Sequence, residues 1–276
     1  MIIVRLTNGF GNNLFQYIAA RLLSEFHNHE LTVIPPSSDY YAIQDLKNVG
    51  VDFKETSFRG DVIIINEDNY QKAFDKSLKH YNFIVQGYFE DHTFFNQKIN
   101  LIKSWFPKIQ KRKDDDLVIH FRAGDRLFYK NEFDYKPRVE RYLKAIEKFN
   151  FSSLHIVTDM LEWDYLTEEK LQKMSFHVDV PHKDRVPLKE SIDYFNSFVE
   201  KFEKFNPIVE KRAVSEDFNF IRSFNNILFE HGTLGWWASV LSDAEKVGVY
   251  GPWRPWKGAS NKNLSNVNIN GWFKWE

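Results

Sequence analysis

The 276-residue chain has no cysteine. Disulfides and thiolate metal sites are therefore excluded, and nothing in the composition requires an oxidising compartment. No segment reaches the ~18 apolar residues of a membrane-spanning helix. The opening Met1-Ile2-Ile3-Val4-Arg5-Leu6 reads as a strand. It is not a basic region followed by a long apolar stretch, so no signal peptide and a cytoplasmic location are expected. An excess of one charge is also lacking, because 37 Lys and Arg face 38 Asp and Glu, giving a formal net charge of −1. That balance argues against nucleic acid as a partner, which needs a large positive field. It leaves room for a small cationic pocket that takes a diphosphate. The nine histidines show no His-x-x-x-His or His-Glu-x-x-His spacing, and no Asp-x-Asp follows a predicted strand. No metal and no other cofactor are expected. A Gly-x-Ser-x-Gly elbow is missing, which argues against a serine hydrolase of that type.

The chain is rich in aromatic residues, at 17% with 26 Phe and eight Trp, within an apolar fraction of 43%. That composition predicts a large, bulky core. Strand-like runs at Ile2–Leu6, Leu31–Ile34, Asp61–Ile65, Asn82–Gly87, Leu117 onward, Ser153–Thr158, Asn226–Phe229 and Lys246–Tyr250 alternate with helical patterns. Leu14, Phe15, Ile18, Ala19, Leu22 and Leu23 recur at helical spacing, and Arg138–Phe149 and Thr233–Leu241 read as further helices. This alternation predicts an α/β fold with parallel sheets. The charged run Lys108–Asp116 reads as solvated surface or linker. It sets an expected boundary between an N-terminal unit, 1–110, and a C-terminal unit, 111–276, whose last residues can pack back on the first. The stripe Ile192, Phe195, Phe198, Val199, Phe202 and Phe205 reads as core packing rather than a partner-binding face.

Four places could carry chemistry. The run Leu117-Val-Ile-His-Phe-Arg-Ala-Gly-Asp125 is a strand that stops in a polar turn, with His120 and Arg122 two apart and so on one face. An Arg at a strand end can fork onto a phosphate, although an ordinary strand end with a surface ion pair fits equally. Asn8-Gly-Phe-Gly-Asn-Asn13 joins the first strand to the first helix. Its glycines would let backbone approach a ligand at a helix start, or the segment is a turn with an Asn cap. Thr158-Asp159 ends the next strand, where a carboxylate can accept from a base or ribose, or can cap a helix. Glu230-His-Gly-Thr-Leu-Gly-Trp-Trp237 runs from a strand through a small-residue turn into a helix whose first N–H groups could meet a phosphate. The tandem Trp236-Trp237 reads as packing of that helix onto its sheet.

Taken together and in order, four segments resemble the family 11 glycosyltransferases, the α-1,2-fucosyltransferases, and more distantly the wider fucosyltransferase superfamily. Asn8-Gly-Phe-Gly-Asn-Asn-Leu-Phe-Gln-Tyr17 is similar to that family's opening Gly-x-Gly-Asn-Gln-Leu-Phe-Gln-Tyr. Gly87-Tyr-Phe-Glu-Asp91 is similar to its Gly-Tyr-Phe-Gln-Ser, and His120-Phe-Arg-Ala-Gly-Asp125 to its His-x-Arg-x-Gly-Asp. Gly232-Thr-Leu-Gly-Trp-Trp-Ala238 is similar to its Ser-Thr-Phe-Ser-Trp-Trp-x-Ala. The resemblance implies a GT-B fold, two Rossmann-like domains with a cleft between them, the nucleotide held mainly by the second. It implies metal-independent, inverting transfer of a sugar from a GDP-sugar, usually GDP-fucose, to a glycan acceptor. Carried over, Arg122 would bind the diphosphate, and His120 and Asp125 would organise the nucleotide site. Asn12 would reach phosphate or sugar, Asp159 the base or ribose, and Thr233 and Leu234 the phosphate. No residue is singled out as general base; Glu90, Asp125 and Glu230 are the carboxylates nearest the motifs. Asn13 and Glu90 stand where the family has Gln, and Ala123 where a second Arg is frequent. His231 replaces Asn, and Gly232 and Gly235 replace Ser. These departures surround the donor site and leave other readings open. They are a different sugar such as xylose from a GDP- or UDP-donor, a sugar-nucleotide hydrolase, or a non-catalytic binding relative.

Overall fold

Two parallel sheets organise the computed structural model, which describes residues 1–7, 9–35, 43–54, 60–123, 139–159, 186–210, 212–230, 232–250 and 271–275. The first sheet holds β1 (Ile2–Arg5), β2 (Leu31–Ile34), β3 (Val62–Ile65) and β4 (Asn82–Val85) in the order β2-β1-β4-β3. The second holds β5 (Leu117–Phe121), β6 (Leu154–Thr158), β7 (Ile208–Glu210), β8 (Asn226–Phe229), β9 (Lys246–Tyr250) and β10 (Phe273–Trp275). Its order is β10-β9-β8-β5-β6-β7, with every pairing parallel. Parallel strands need crossovers, and these are largely helical: α1 (Phe10–His27), α2 (Ile43–Asn48), α3 (Ile99–Ser104), α4 (Val139–Ile146), α5 (Leu188–Glu200), α6 (Val214–Arg222) and α7 (Thr233–Leu241). Helices cover both faces of the second sheet, so β5 and β6 are buried at every residue, as their continuous apolar runs require.

Strand periodicity divides the second sheet between two cores. Leu117, Ile119 and Phe121 point to one side, where Tyr142 of α4 and Phe195 and Phe198 of α5 pack; the Phe121 and Phe198 ring centroids are 3.7 Å apart. The α5 stripe is thus core. Val118 points to the other side and joins a cluster that continues into the first sheet through α1, α6 and α7. Helix α1 is buried almost all round because it lies between its own sheet and α7. Phe15 of α1 stacks on Trp236 and tilts against Trp237, both at 4.8 Å between centroids.

Several expectations are corrected here. Trp236 and Trp237 do not serve only their own sheet, since they receive Phe15 and, for Trp237, Phe95 from the first half of the chain. Helix α1 starts at Phe10, with Gly9 as N-cap and no side-chain cap, so Gly11, Asn12 and Asn13 are helical rather than in a loop or Asn cap. The charged run ending at Asp116 is not simply solvated. Arg112 holds Asp114 at 3.0 Å and the buried Asp116 at 2.8 Å, and Asp116 in turn lies 3.4 Å from buried His155. Strands β7 and β10 carry no sign in the sequence, because three residues are too few to display a period of two.

Candidate functional site

From β5 the chain runs outward through β6 and β7, then returns to β8 on the other side of β5 and runs outward again through β9 and β10. The strand order therefore reverses between β5 and β8. In open parallel sheets the crevice at the carboxyl ends of such a strand pair is where ligands bind, because the loops diverge there. His120 pairs with Phe229 of β8 and with Val157 of β6, and Phe121 pairs with Thr158. One step further, this register sets Arg122 beside Asp159. The Ala123 N–H donates to Asp159 Oδ1 at 3.0 Å, and Arg122 Nε lies 3.6 Å from Asp159 Oδ2. Both side chains remain about one-third exposed, at 34% and 37%, so the pair orients the guanidinium without sealing it off.

His120 lies on the same face as Arg122 and is 7% exposed. Burial, and then the neighbouring Arg122 charge, lower its pKa to about 3, so the ring is neutral at any ordinary pH. Its Nδ1 is buried and finds no hydrogen-bond partner among the described residues. It faces α7: a Cβ on Gly235 would sit 2.6 Å from Nδ1. The β8–α7 turn passes over this strand end. Gly232 adopts φ +113°, a conformation that favours glycine, and the nearest side-chain atoms to its Cα face are those of His120 and Arg122. The first turn of α7, Thr233 and Leu234, is half-buried.

The start of α1 meets the start of α7. Thr233 donates its hydroxyl to Asn12 Oδ1 at 2.5 Å. Gly11 is so close that a Cβ there would lie 2.4 Å from both Leu234 N and Thr233 Oγ1. The glycine expected to admit a ligand instead admits a second helix. In the first sheet the order changes between β1 and β4, and one side chain ties these strand ends together. Gln16 accepts from the Thr7 N–H at 3.1 Å and donates to Thr7 Oγ1 and to the Gly87 carbonyl, each at 2.9 Å. Glu90 follows on the same edge and is half-buried.

His120, Arg122 and Asp159 thus gather at one strand end, with Asn12, Thr233 and Leu234 at the adjoining pair of helix starts. Asp125 lies outside the described residues. Glu230 is 1% exposed and sits 3.2 Å from Arg141, whose guanidinium also lies 4.4 Å over the Tyr250 ring. Arg141 escaped the sequence reading because it pairs with a residue 89 positions away. Gln16 was in plain view in the Leu-Phe-Gln-Tyr segment, but its bonds to Thr7 and Gly87 depend on the packing of α1. Among the described residues no group of three or more His, Asp or Glu is arranged to hold a metal ion. No described helix is long and apolar enough to cross a membrane.

No family model matches the chain, and no curated protein does. Among solved structures it is similar to a mutant of Arabidopsis thaliana FUT1 in complex with GDP, at 10% identity and a TM-score of 0.46, covering 92% of this chain and 70% of that one. At that degree of likeness, the chemistry has to be argued from this chain's own residues.

Proposed function

We propose that this protein is an inverting glycosyltransferase of GT-B type that moves a sugar, L-fucose from GDP-fucose being favoured, to a hydroxyl of a glycan acceptor. The observation that carries the reading is the convergence of Arg122, oriented by Asp159, with the N-terminus of α7 at the reversal between β5 and β8. A guanidinium and a helix start are what a departing diphosphate needs. Residues 111–276 form the nucleotide side and residues 1–110 the acceptor side.

As the bond from the anomeric carbon to the phosphate oxygen breaks, negative charge grows on the diphosphate. Arg122 and the start of α7 at Gly232 and Thr233 stabilise it, and no metal enters the scheme. Asn12, fixed by its bond from Thr233, contributes from the first half of the chain. Asp159 holds Arg122 and accepts from the ribose or base. His120, neutral and buried, lines the nucleotide site without adding charge. The acceptor hydroxyl attacks the opposite face of the oxocarbenium-like sugar and gives its proton to a general base. Glu90 is the carboxylate on the acceptor side suited to that role. Glu230 is not, because Arg141 already engages it.

Calorimetry against GDP, UDP and their sugars tests the reading, followed by a donor panel scored by nucleotide release. Tight GDP binding with acceptor-dependent release supports it. Failure to bind any nucleotide overturns it, and binding without turnover identifies a non-catalytic relative. Ala123, in place of a frequent second Arg, favours keeping the donor panel wide, with xylose donors included.

A further inference from the structure

Among the described residues, five large apolar side chains are exposed. Phe26, Ile64, Leu101 and Ile208 belong to helices or strands, whereas Tyr88, 51% exposed, stands beyond the carboxyl end of β4. The backbone beneath Tyr88 is unusual on both sides. Gly87 has φ +152°, and Phe89, which is not a glycine, has φ +54°. A left-handed phenylalanine is costly, and such outliers persist where the surroundings over-determine them, often at functional sites.

Here the surroundings do so. One carboxylate, Glu67, accepts both the Tyr88 N–H at 2.6 Å and the Phe89 N–H at 3.0 Å. Gln16 holds the Gly87 carbonyl from below. The Phe89 ring is fully buried, 5.2 Å from Tyr70. Beyond it the Asp91 N–H donates back to the Phe89 carbonyl at 2.8 Å, which makes Glu90 the apex of a tight three-residue turn. Asp91 then caps the next helical turn through the Thr93 N–H at 2.9 Å. The Gly87 carbonyl and the Tyr88, Phe89 and Asp91 N–H groups are all held, yet the one large ring among them is half in solvent. Gln16 also holds Thr7, so the platform is fastened to the β1–α1 connection that leads to Asn12 and Thr233.

We infer that Tyr88 is a rigid platform on which a pyranose ring of the acceptor glycan stacks its apolar C–H face, with Glu90 two residues on to meet the ring's hydroxyls. A fixed aromatic face with a polar tip suits a ligand that is apolar on its faces and polar at its rim. The inference rests on the glycosyl-transfer reading, but it can be tested apart from it.

The experiment is saturation-transfer NMR on the full chain with methyl glycopyranosides of galactose, glucose and N-acetylglucosamine. It compares wild type with Tyr88→Ala, Tyr88→Phe and Tyr88→Trp, and GDP calorimetry is run on each. The expected result is glycoside binding by the wild type, weakened about tenfold or more in Tyr88→Ala and retained in Tyr88→Phe and Tyr88→Trp, with GDP affinity unchanged. Glycoside binding that is equal in wild type and Tyr88→Ala, or absent from the wild type, overturns the platform. Absence of GDP binding in the wild type overturns the nucleotide-sugar reading alone, because the glycoside comparison still reads Tyr88.

Discussion

Gly11 and Thr233 meet where α1 and α7 begin, with no room for a side chain on Gly11: a methyl group there would lie 2.4 Å from the Thr233 hydroxyl oxygen and 2.4 Å from the Leu234 nitrogen. The obstructing atoms include α7 backbone, which cannot swing away as the tip of a flexible side chain can. Gly11→Ala should therefore push the two helices apart and cost roughly 1–3 kcal/mol, the usual range for overpacking. Urea denaturation reads the loss of stability. Because the displaced residues are those proposed to receive the phosphate, GDP affinity should fall in the same variant.

Arg122→Ala should fold normally, since its side chain is about one-third exposed and lies at the edge of the core. Its transfer rate should fall by about 100-fold or more, the scale of losing a donor aimed at developing charge. Arg122→Lys should recover little, because an ammonium cannot reproduce a fork on two oxygens. Steady-state rates at saturating acceptor provide the check, and substantial turnover by a folded Arg122→Ala variant would overturn the mechanism.

His120 makes stability depend on pH with a definite sign. Its folded pKa is about 3, lowered by burial and then by Arg122, while in the unfolded chain it titrates near the ordinary value of 6.5. The unfolded state therefore binds a proton that the folded state refuses. The stability owed to this group is fully present above about pH 6.5 and is lost as the pH falls toward 3, with a slope approaching about 1.4 kcal/mol per pH unit. His29, His92 and His155 are lowered too, so the wild-type curve contains all four. The comparison of wild type with His120→Asn isolates one of them: the urea midpoint of the variant should fall less steeply below pH 6.5.

Glu230 and Arg141 form an ion pair whose side chains are only 1% and 16% exposed. Glu230→Gln should cost about 3–5 kcal/mol, because it removes the carboxylate beside a largely buried cation. The double variant Glu230→Gln with Arg141→Met should recover most of that loss. A thermodynamic cycle built from the four proteins measures the coupling. Equal losses in the single and double variants would assign Glu230 some role other than balancing Arg141.

Much of this was legible in the chain. The strand at Leu117 and the helix at Thr233–Leu241 declared themselves through continuous apolar runs and through clear breaks beside them. The expectation that His120 and Arg122 share a face follows from the alternation of a strand, and the nearest side-chain atoms to Gly232 belong to both. The α5 stripe read as core and is core. Where the reading missed, the cause was local shortness or distant pairing. Three-residue strands carry no usable period. The charged stretch before Leu117 looked solvated because His155, the second partner of Asp116 after Arg112, lies 39 residues further on. The glycines of the first loop suggested a ligand, since nothing in the sequence says that another helix will occupy the space beside Gly11.

The sequence by itself determined the elements and the chemistry available at their ends. Apolar periodicity, glycine placement and the absence of cysteine depend only on neighbours along the chain and on composition. Tertiary structure alone decided which strand ends lie side by side. The reversal of order between β5 and β8, the seating of Asp159 against Arg122, and the meeting of Asn12 with Thr233 across 221 residues depend on register and on helix packing. Those arise from the burial of the whole apolar surface at once, and no local pattern encodes them.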